Sequence, residues 1–286
     1  MYSTLISAEQ LLALQAQGGP LRVFDCSADL FKTELGRQQF EQEHLPGAVH
    51  ADIDKDLSDK SGADDAASGG RHPLPSREKF ADWLRSVGVD QAMQVVVYDR
   101  QGALFCGRLW WMLKWCGHEA VAMLDGGLAA WQEVGGSLES GAAKTGQPGN
   151  FRLGPQQAAL RGRSEVARDL DRDSQTLIDA RAAPRYRGEI EPIDPVAGHI
   201  PGALNRPFQT NLDAEGRFKP AALLRQEFET LLAGRDPATV VHQCGSGVSA
   251  IPNLISMELA GLGRTTLYAG SWSDWCRDPS LPVAKG

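Results

Sequence analysis

The sequence predicts a tandem pair of α/β domains, each a mainly parallel sheet flanked by helices. Three observations predict it. The chain repeats its landmarks: EHLPGA at 43–48 recurs as GHIPGA at 198–203, and LDGGLAAW at 124–131 recurs as LYAGSWSDW at 267–275. The strand candidates are unbroken apolar runs rather than alternations, the pattern of strands buried on both faces. These runs alternate with helical stretches, as in α/β folds. The landmark spacing gives two homologous units of about 140 residues, assigned to 1–140 and 151–286 with 141–150 as the linker. Length agrees, because 286 residues at about 150 per domain make two domains.

Taken in order, Ser7 followed by Gln10 forms a capping box that opens a helix over LLALQAQ. RVFDC (22–26) is a strand ending at an acid. SDKSGADDAASGG (58–70) reads as a solvated loop. Ser76 opens a second helix, REKFADWLRSV, which Gly88 stops. VVVYD (95–99) is a central strand, LFCGRLWWMLKW (104–115) the helix after it, and AVAMLD (120–125) the next strand. The polar, glycine-rich SLESGAAKTGQPGN (137–150) has no apolar period and connects the units. In the second unit TLIDA (176–180), TVVHQC (239–244) and TTLYA (265–269) are strands. Pro220 takes a first-turn position before AALLRQEFETLLAG. Pro252 suits only a first helical turn, so the last long helix starts near Ala250 or Ile251.

Composition narrows the function. Hydrophobic residues are 42% and charged residues 23%, which excludes a disordered or collagen-like chain. A net charge of −7 and a pI near 5.4 leave no basic surface for nucleic acid or anionic lipid. No apolar run approaches the roughly 18 residues of a membrane span. The N-terminus has neither the basic region nor the small-residue cleavage site of a signal peptide. The five cysteines, Cys26, Cys106, Cys116, Cys244 and Cys276, are scattered and include no C-x-x-C pair. That is neither a disulfide framework nor a zinc site, and the expected location is cytoplasmic.

Duplication supplies an internal control. Features in both halves are most simply scaffold, and features in one half are candidates for chemistry. His44 and His199, in the H-[LI]-P-G-A turns, are therefore structural, as are Trp131 and Trp275. Trp110, Trp111 and Trp115 are spaced for helix packing. The largest difference ends the central strand: Asp99 in one half, Cys244 in the other. Behind Cys244 comes a glycine-rich loop and then a helix. Gly245 and Gly247 let the backbone fold round the sulfur with N–H groups inward, and the helix N-terminus adds positive potential. Both effects favour thiolate, so the thiol is expected below its free pKa of about 8.5.

The pattern C-G-S-G-V-S at 244–249, the paired H-[LI]-P-G-A turns and the DGGLAAW and AGSWSDW endings resemble the tandem-domain rhodanese family along nearly the whole chain. The resemblance implies two rhodanese-like domains, the first catalytically silent and the second carrying a cysteine persulfide. It implies sulfur transfer from a small-molecule donor to a thiol, a thioredoxin-like protein or cyanide, with no metal or organic cofactor. The loop Gly245, Ser246, Gly247, Val248, Ser249 carries no charge and resembles the C-G-[ST]-G-V-T signature of 3-mercaptopyruvate sulfurtransferases. Thiosulfate-specific relatives tend to carry basic residues beside the cysteine. The resemblance further implies Arg185 as the clamp for a substrate carboxylate, with Arg187 to assist. It assigns Ser246, or a His72–Asp54 pair, to the proton relay. One departure stands out: the family often has an arginine after Glu-Pro, and here Pro192 is followed by Ile193.

The expected chemistry is two-step covalent catalysis at Cys244. The nearest alternative keeps the fold and takes thiosulfate as donor, which the missing arginine favours and the uncharged loop opposes. A cysteine phosphatase would need C-x5-R, and Ala250 stands where its arginine would be. A non-catalytic rhodanese-like binding module is the remaining alternative, although such modules typically lose the cysteine that this chain retains.

Overall fold

The computed structural model describes residues 1–62, 65–143 and 146–286. It divides into two compact units. The first comprises 1–65, 75–157 and 214–217, the second 66–74, 158–213 and 218–286.

In the first unit the strands are β1 (Leu5–Ile6), β2 (Leu21–Asp25), β3 (Val49–His50), β4 (Gln94–Tyr98) and β5 (Val121–Leu124). The helices are α1 (Ala8–Ala16), α2 (Leu35–Gln42), α3 (Arg77–Ser86), α4 (Cys106–Trp115) and α5 (Gly127–Glu133). The five strands lie parallel in the order β1-β5-β4-β2-β3. In the second unit the strands are β6 (Ala159–Leu160), β7 (Thr176–Asp179), β8 (Leu204–Asn205), β9 (Val240–Gln243) and β10 (Thr266–Leu267). Its helices are α6 (Arg163–Arg168), α7 (Ala183–Tyr186), α8 (Ala221–Leu232), α9 (Ile251–Leu259) and α10 (Ser271–Trp275). The order β6-β10-β9-β7-β8 repeats that of the first sheet, again all parallel. Among the described residues no helix is long and apolar enough to cross a membrane.

The local signals act as their chemistry requires. Ser7 Oγ accepts the Gln10 N–H at 3.2 Å while Gln10 Oε1 accepts the Ser7 N–H at 2.9 Å, closing the capping box of α1. Ser76 caps α3, and Gly88 ends it at φ +76°. Val95, Val96, Val97 and Tyr98 of β4 are all fully buried, the reason the run is apolar on both faces. α9 begins at Ile251, so Pro252 sits in its first turn, where no N–H is missed. Pro220 lies one residue outside α8, in extended backbone.

The two histidine turns are built alike. His44 Nδ1 meets the Phe40 carbonyl at 2.7 Å and its ring stacks on Phe40, and His199 Nδ1 meets the Tyr186 carbonyl at 2.8 Å and stacks on Tyr186. Each ring pins the preceding helix to the turn, and in the second unit that helix is α7.

Two segments differ from the expectations. The expected linker 141–150 includes 144 and 145, outside the described residues, but its later part is not free. Gly149 N–H bonds the Arg85 carbonyl, Phe151 N–H bonds that of Val89, and Gly154 N–H bonds that of Cys116. Burial of Phe151 fixes this stretch to the first unit, which runs on to Gln157. The expected solvated loop 58–70 includes 63 and 64, also outside the described residues, and from Ala66 it belongs to the second unit. There Gly69 and Gly70 run so close to α10 that an added Cβ would stand 2.4 Å from Asp274 Oδ1 and 2.5 Å from the Gly270 carbonyl, respectively.

At the tip of β4 the buried Asp99 carboxylate accepts four backbone N–H groups. Oδ1 takes Gln101 and Ala103 at 2.9 and 3.0 Å, and Oδ2 takes Phe105 and Cys106 at 2.8 and 2.9 Å. Burial pushes this carboxyl above its ordinary range and the four donors pull against that. Asp99→Ala strands four donors, and urea unfolding should show a loss of about 3 kcal/mol or more. A change under about 1 kcal/mol would mean the loop is held by other means.

Candidate active site

The second unit carries the same strand–loop–helix crossing with cysteine in place of the acid. Cys244 follows β9, is buried, and is fixed through its backbone. Its N–H bonds Ser271 Oγ at 3.0 Å, and its carbonyl accepts the Trp272 N–H at 3.0 Å. Ser271 is held at φ +54°, a strained setting for a serine, by a second hydrogen bond from Oγ to the Tyr268 carbonyl. Gly247, at φ +71°, has no room for a side chain: a Cβ would stand 2.2 Å from the Ala269 carbonyl. Ala269 is thus the residue whose backbone closes on the loop.

Unlike the Asp99 loop, this one has no carboxylate at its strand tip. Among the described residues the N–H groups of Gly245, Ser246, Val248 and Ser249 donate to no protein atom. Buried donors without partners are costly unless something anionic meets them. In the first unit that anion is a carboxylate at the strand tip. Here the group at the strand tip is a thiol.

Three predicted residues are assembled around Cys244. Ser246 Oγ lies 2.8 Å from His72 Nδ1, and both side chains are buried. Arg185, at the end of α7, turns its guanidinium toward the loop, 3.6 Å from where a methyl at Gly245 would sit. One predicted residue is elsewhere. Arg187 pairs with Glu189 at 2.6 Å on the surface. Asp54 belongs to the first unit, with Lys60 Nζ 2.5 Å from its carboxylate.

The sequence reading missed Arg71. Its Nη2 is 3.0 Å from the same methyl position at Gly245, closer than Arg185. Its N–H bonds Ser273 Oγ at 2.9 Å, tying the 66–74 segment to α10, and its buried Nε has no acceptor among the described residues. The signal was its place beside His72 in GGRHPLP.

Both guanidiniums belong to a row of alternating charges. Arg181 clasps Asp179, at 2.6 Å from Nη2, and reaches Glu191 at 3.4 Å. Glu191 meets Arg185 at 2.6 Å, Arg185 meets Asp194 at 3.2 Å, and Asp194 meets Arg71 at 2.5 Å. Burial opposes the charge of Glu191, but the Arg185 hydrogen bond and the Asp194 N–H outweigh it and hold its carboxyl below the usual range. Burial likewise opposes the charge of Arg181, and Asp179, Glu191 and the nearby Cys244 sulfur more than restore it.

The other cysteines are in different surroundings. Burial raises the thiol pKa of Cys26 and Cys106 well above the ordinary value, pushes Cys116 up to about 11, and raises Cys276. A raised thiol pKa means less thiolate at any given pH below it, so these four should resist alkylation near pH 8 while Cys244 is labelled. Peptide mapping after brief iodoacetamide treatment checks this, and uniform labelling would remove the distinction. Gly247→Ala should lower sulfur-transfer kcat/KM about 100-fold or more, since the loop cannot close. Near-normal turnover in that variant would show that the loop geometry is dispensable.

Residues 7–134 and 163–278 each match the model of the rhodanese-like domain. The chain is 44% identical to a Pseudomonas aeruginosa protein named probable 3-mercaptopyruvate sulfurtransferase, over 99% of this chain and 98% of that one. It is 37% identical to the Mycobacterium tuberculosis protein named putative thiosulfate sulfurtransferase SseB, over 99% and 97%. Among solved structures, SseA of Escherichia coli, described as a 3-mercaptopyruvate sulfotransferase, superposes with a TM-score of 0.79 at 32% identity, covering 95% of this chain and 100% of that one.

Proposed function

The chain belongs to the rhodanese family and is an enzyme of the sulfurtransferase class, and from that premise we propose that it carries sulfur from 3-mercaptopyruvate to an acceptor through a persulfide on Cys244. The observation that carries the donor is the pair of guanidiniums, Arg71 and Arg185, facing the residue after the nucleophile. A 2-oxo acid presents a carboxylate and a ketone side by side, and paired guanidinium forks are suited to bind both. Arg71 thereby supplies the second arginine that Ile193 lacks.

The Cys244 thiolate attacks the thiol sulfur of the donor. An S–S bond forms, the C–S bond breaks, and its electron pair goes to carbon as the pyruvate enolate. The former thiol proton passes to that carbon, giving pyruvate and leaving a persulfide anion on Cys244. Ser246, with His72 behind it at 2.8 Å, is the hydroxyl suited to polarise the ketone and to relay the proton. The free N–H groups of Gly245, Ser246, Val248 and Ser249 are the donors available to the persulfide anion. A thiol, a reduced thioredoxin-like protein or cyanide then takes the outer sulfur and Cys244 leaves as thiolate. Asp54 is proposed to take part in the proton relay, and an Asp54→Asn variant with unchanged kcat would remove it from the scheme. A thiol acceptor and five free cysteines favour a cytoplasmic location.

Thiosulfate is the second reading, favoured by the relative named for it and by the affinity of two arginines for a dianion.

Mass spectrometry after incubation with 3-mercaptopyruvate should find one added sulfur on Cys244, and Cys244→Ser should lose both the adduct and all transfer. Turnover by that variant would sink the scheme. Arg71→Ala should cost about 1.5–3 kcal/mol of donor binding, roughly 10- to 100-fold in KM, with kcat changed less. An unchanged KM would return the second contact to an unidentified group.

A further inference from the structure

Asp194 lies between the two arginines. Its Oδ1 is 2.5 Å from Arg71 Nη1 and its Oδ2 is 3.2 Å from Arg185 Nη2. Its side chain is only 4% exposed, whereas those of Arg71 and Arg185 are 23% and 16% exposed, so the guanidiniums keep edges open beyond the carboxylate that joins them. Its N–H is bonded to Glu191 Oε1 at 3.1 Å, which sets its place in the row. The row from Asp179 to Arg71 holds three acids and three bases, and Asp194 is the carboxylate shared by the two arginines that face Gly245.

We propose that Asp194 is the donor-selecting residue, a positioning group that spans the two arginines and trims their charge so that the clamp suits a monoanionic 2-oxo acid over a dianion such as thiosulfate. The inference rests on the mercaptopyruvate reading. Its physical basis is that a dianion gains twice as much as a monoanion from each added positive charge at a fixed distance, and in a half-buried site that difference is only weakly screened. Removing the charge of Asp194 while keeping its shape therefore favours thiosulfate more than mercaptopyruvate. A merely structural role moves both donors the same way.

The test is kcat/KM for the two donors, with cyanide as acceptor, on the full-length wild type, Asp194→Asn and Asp194→Glu. The pH is kept below about 8, where the mercaptopyruvate thiol is mostly protonated and the donor a monoanion. Competitive inhibition by pyruvate and by sulfate, the monoanion and dianion probes, is measured on the same preparations. We expect Asp194→Asn to move the kcat/KM ratio toward thiosulfate by tenfold or more, through KM. Sulfate inhibition should tighten more than pyruvate inhibition, and Asp194→Glu should keep the wild-type ratio. Equal losses for both donors, a ratio within twofold of wild type, or the same shift in Asp194→Glu overturns the role. A wild type that uses mercaptopyruvate well and an Asn variant that does not shift overturn this inference alone. A wild type that prefers thiosulfate overturns the donor reading along with it.

Discussion

A parallel strand that ends in the middle of a sheet delivers its chain to a tight loop before a helix, and the N–H groups of that loop need an acceptor. Both halves of this molecule are organised by that constraint. In the first, the Asp99 carboxylate takes four N–H groups at 2.8–3.0 Å and the loop is complete in itself. In the second, Cys244 stands at the same place and four loop N–H groups have no protein acceptor among the described residues. The first unit thus shows what the fold does with a fixed anion. The second keeps the cradle and places a thiol where the first has its fixed anion. One substitution at one strand tip separates a loop closed on a carboxylate from a loop closed round a thiol.

Charge is managed on the substrate side of the same site. Arginines needed to hold an anionic donor would repel one another and attract many anions if left bare. Here Glu191 and Asp194 alternate with Arg181, Arg185 and Arg71, so each guanidinium has a carboxylate neighbour and the row stays near neutrality. Buried ion pairs contribute little net stability once desolvation is counted, but they fix geometry. The His199 ring stacked on Tyr186 serves that end too, by fixing the helix that carries Arg185.

Much of this was legible in the sequence, for identifiable reasons. The buried strands and the capping box at Ser7 are local signals, written in residues that touch close neighbours, and the repeat shows by direct comparison of the two halves. Cys244 was legible because the duplicated half supplied Asp99 as its control. Arg71 was not, since its partner Asp194 lies 123 positions further along and no period or motif connects them. The assignment of 66–74 to the second unit was hidden in the same way. A glycine pair usually signals a flexible loop, and here it lets the backbone lie against α10. Arg187, which the family pattern brought forward with Arg185, faces Glu189 because a two-residue difference in helical position points it to solvent.

The two halves also differ at the residue that opens their last helix, and the difference follows from the same strand tip. Gly127 and Ser271 share the left-handed backbone, at φ +57° and +54°. In the first half the residue must be glycine, because a Cβ would stand 2.3 Å from the Asp99 carbonyl. In the second half serine is accepted, with strain on the order of 1–3 kcal/mol, and its Oγ takes the Cys244 N–H while donating to the Tyr268 carbonyl. Glycine there would relieve the backbone and leave the cysteine N–H without its acceptor. The strained residue therefore stands in the half that holds Cys244, where its hydroxyl fixes the backbone that carries the thiol.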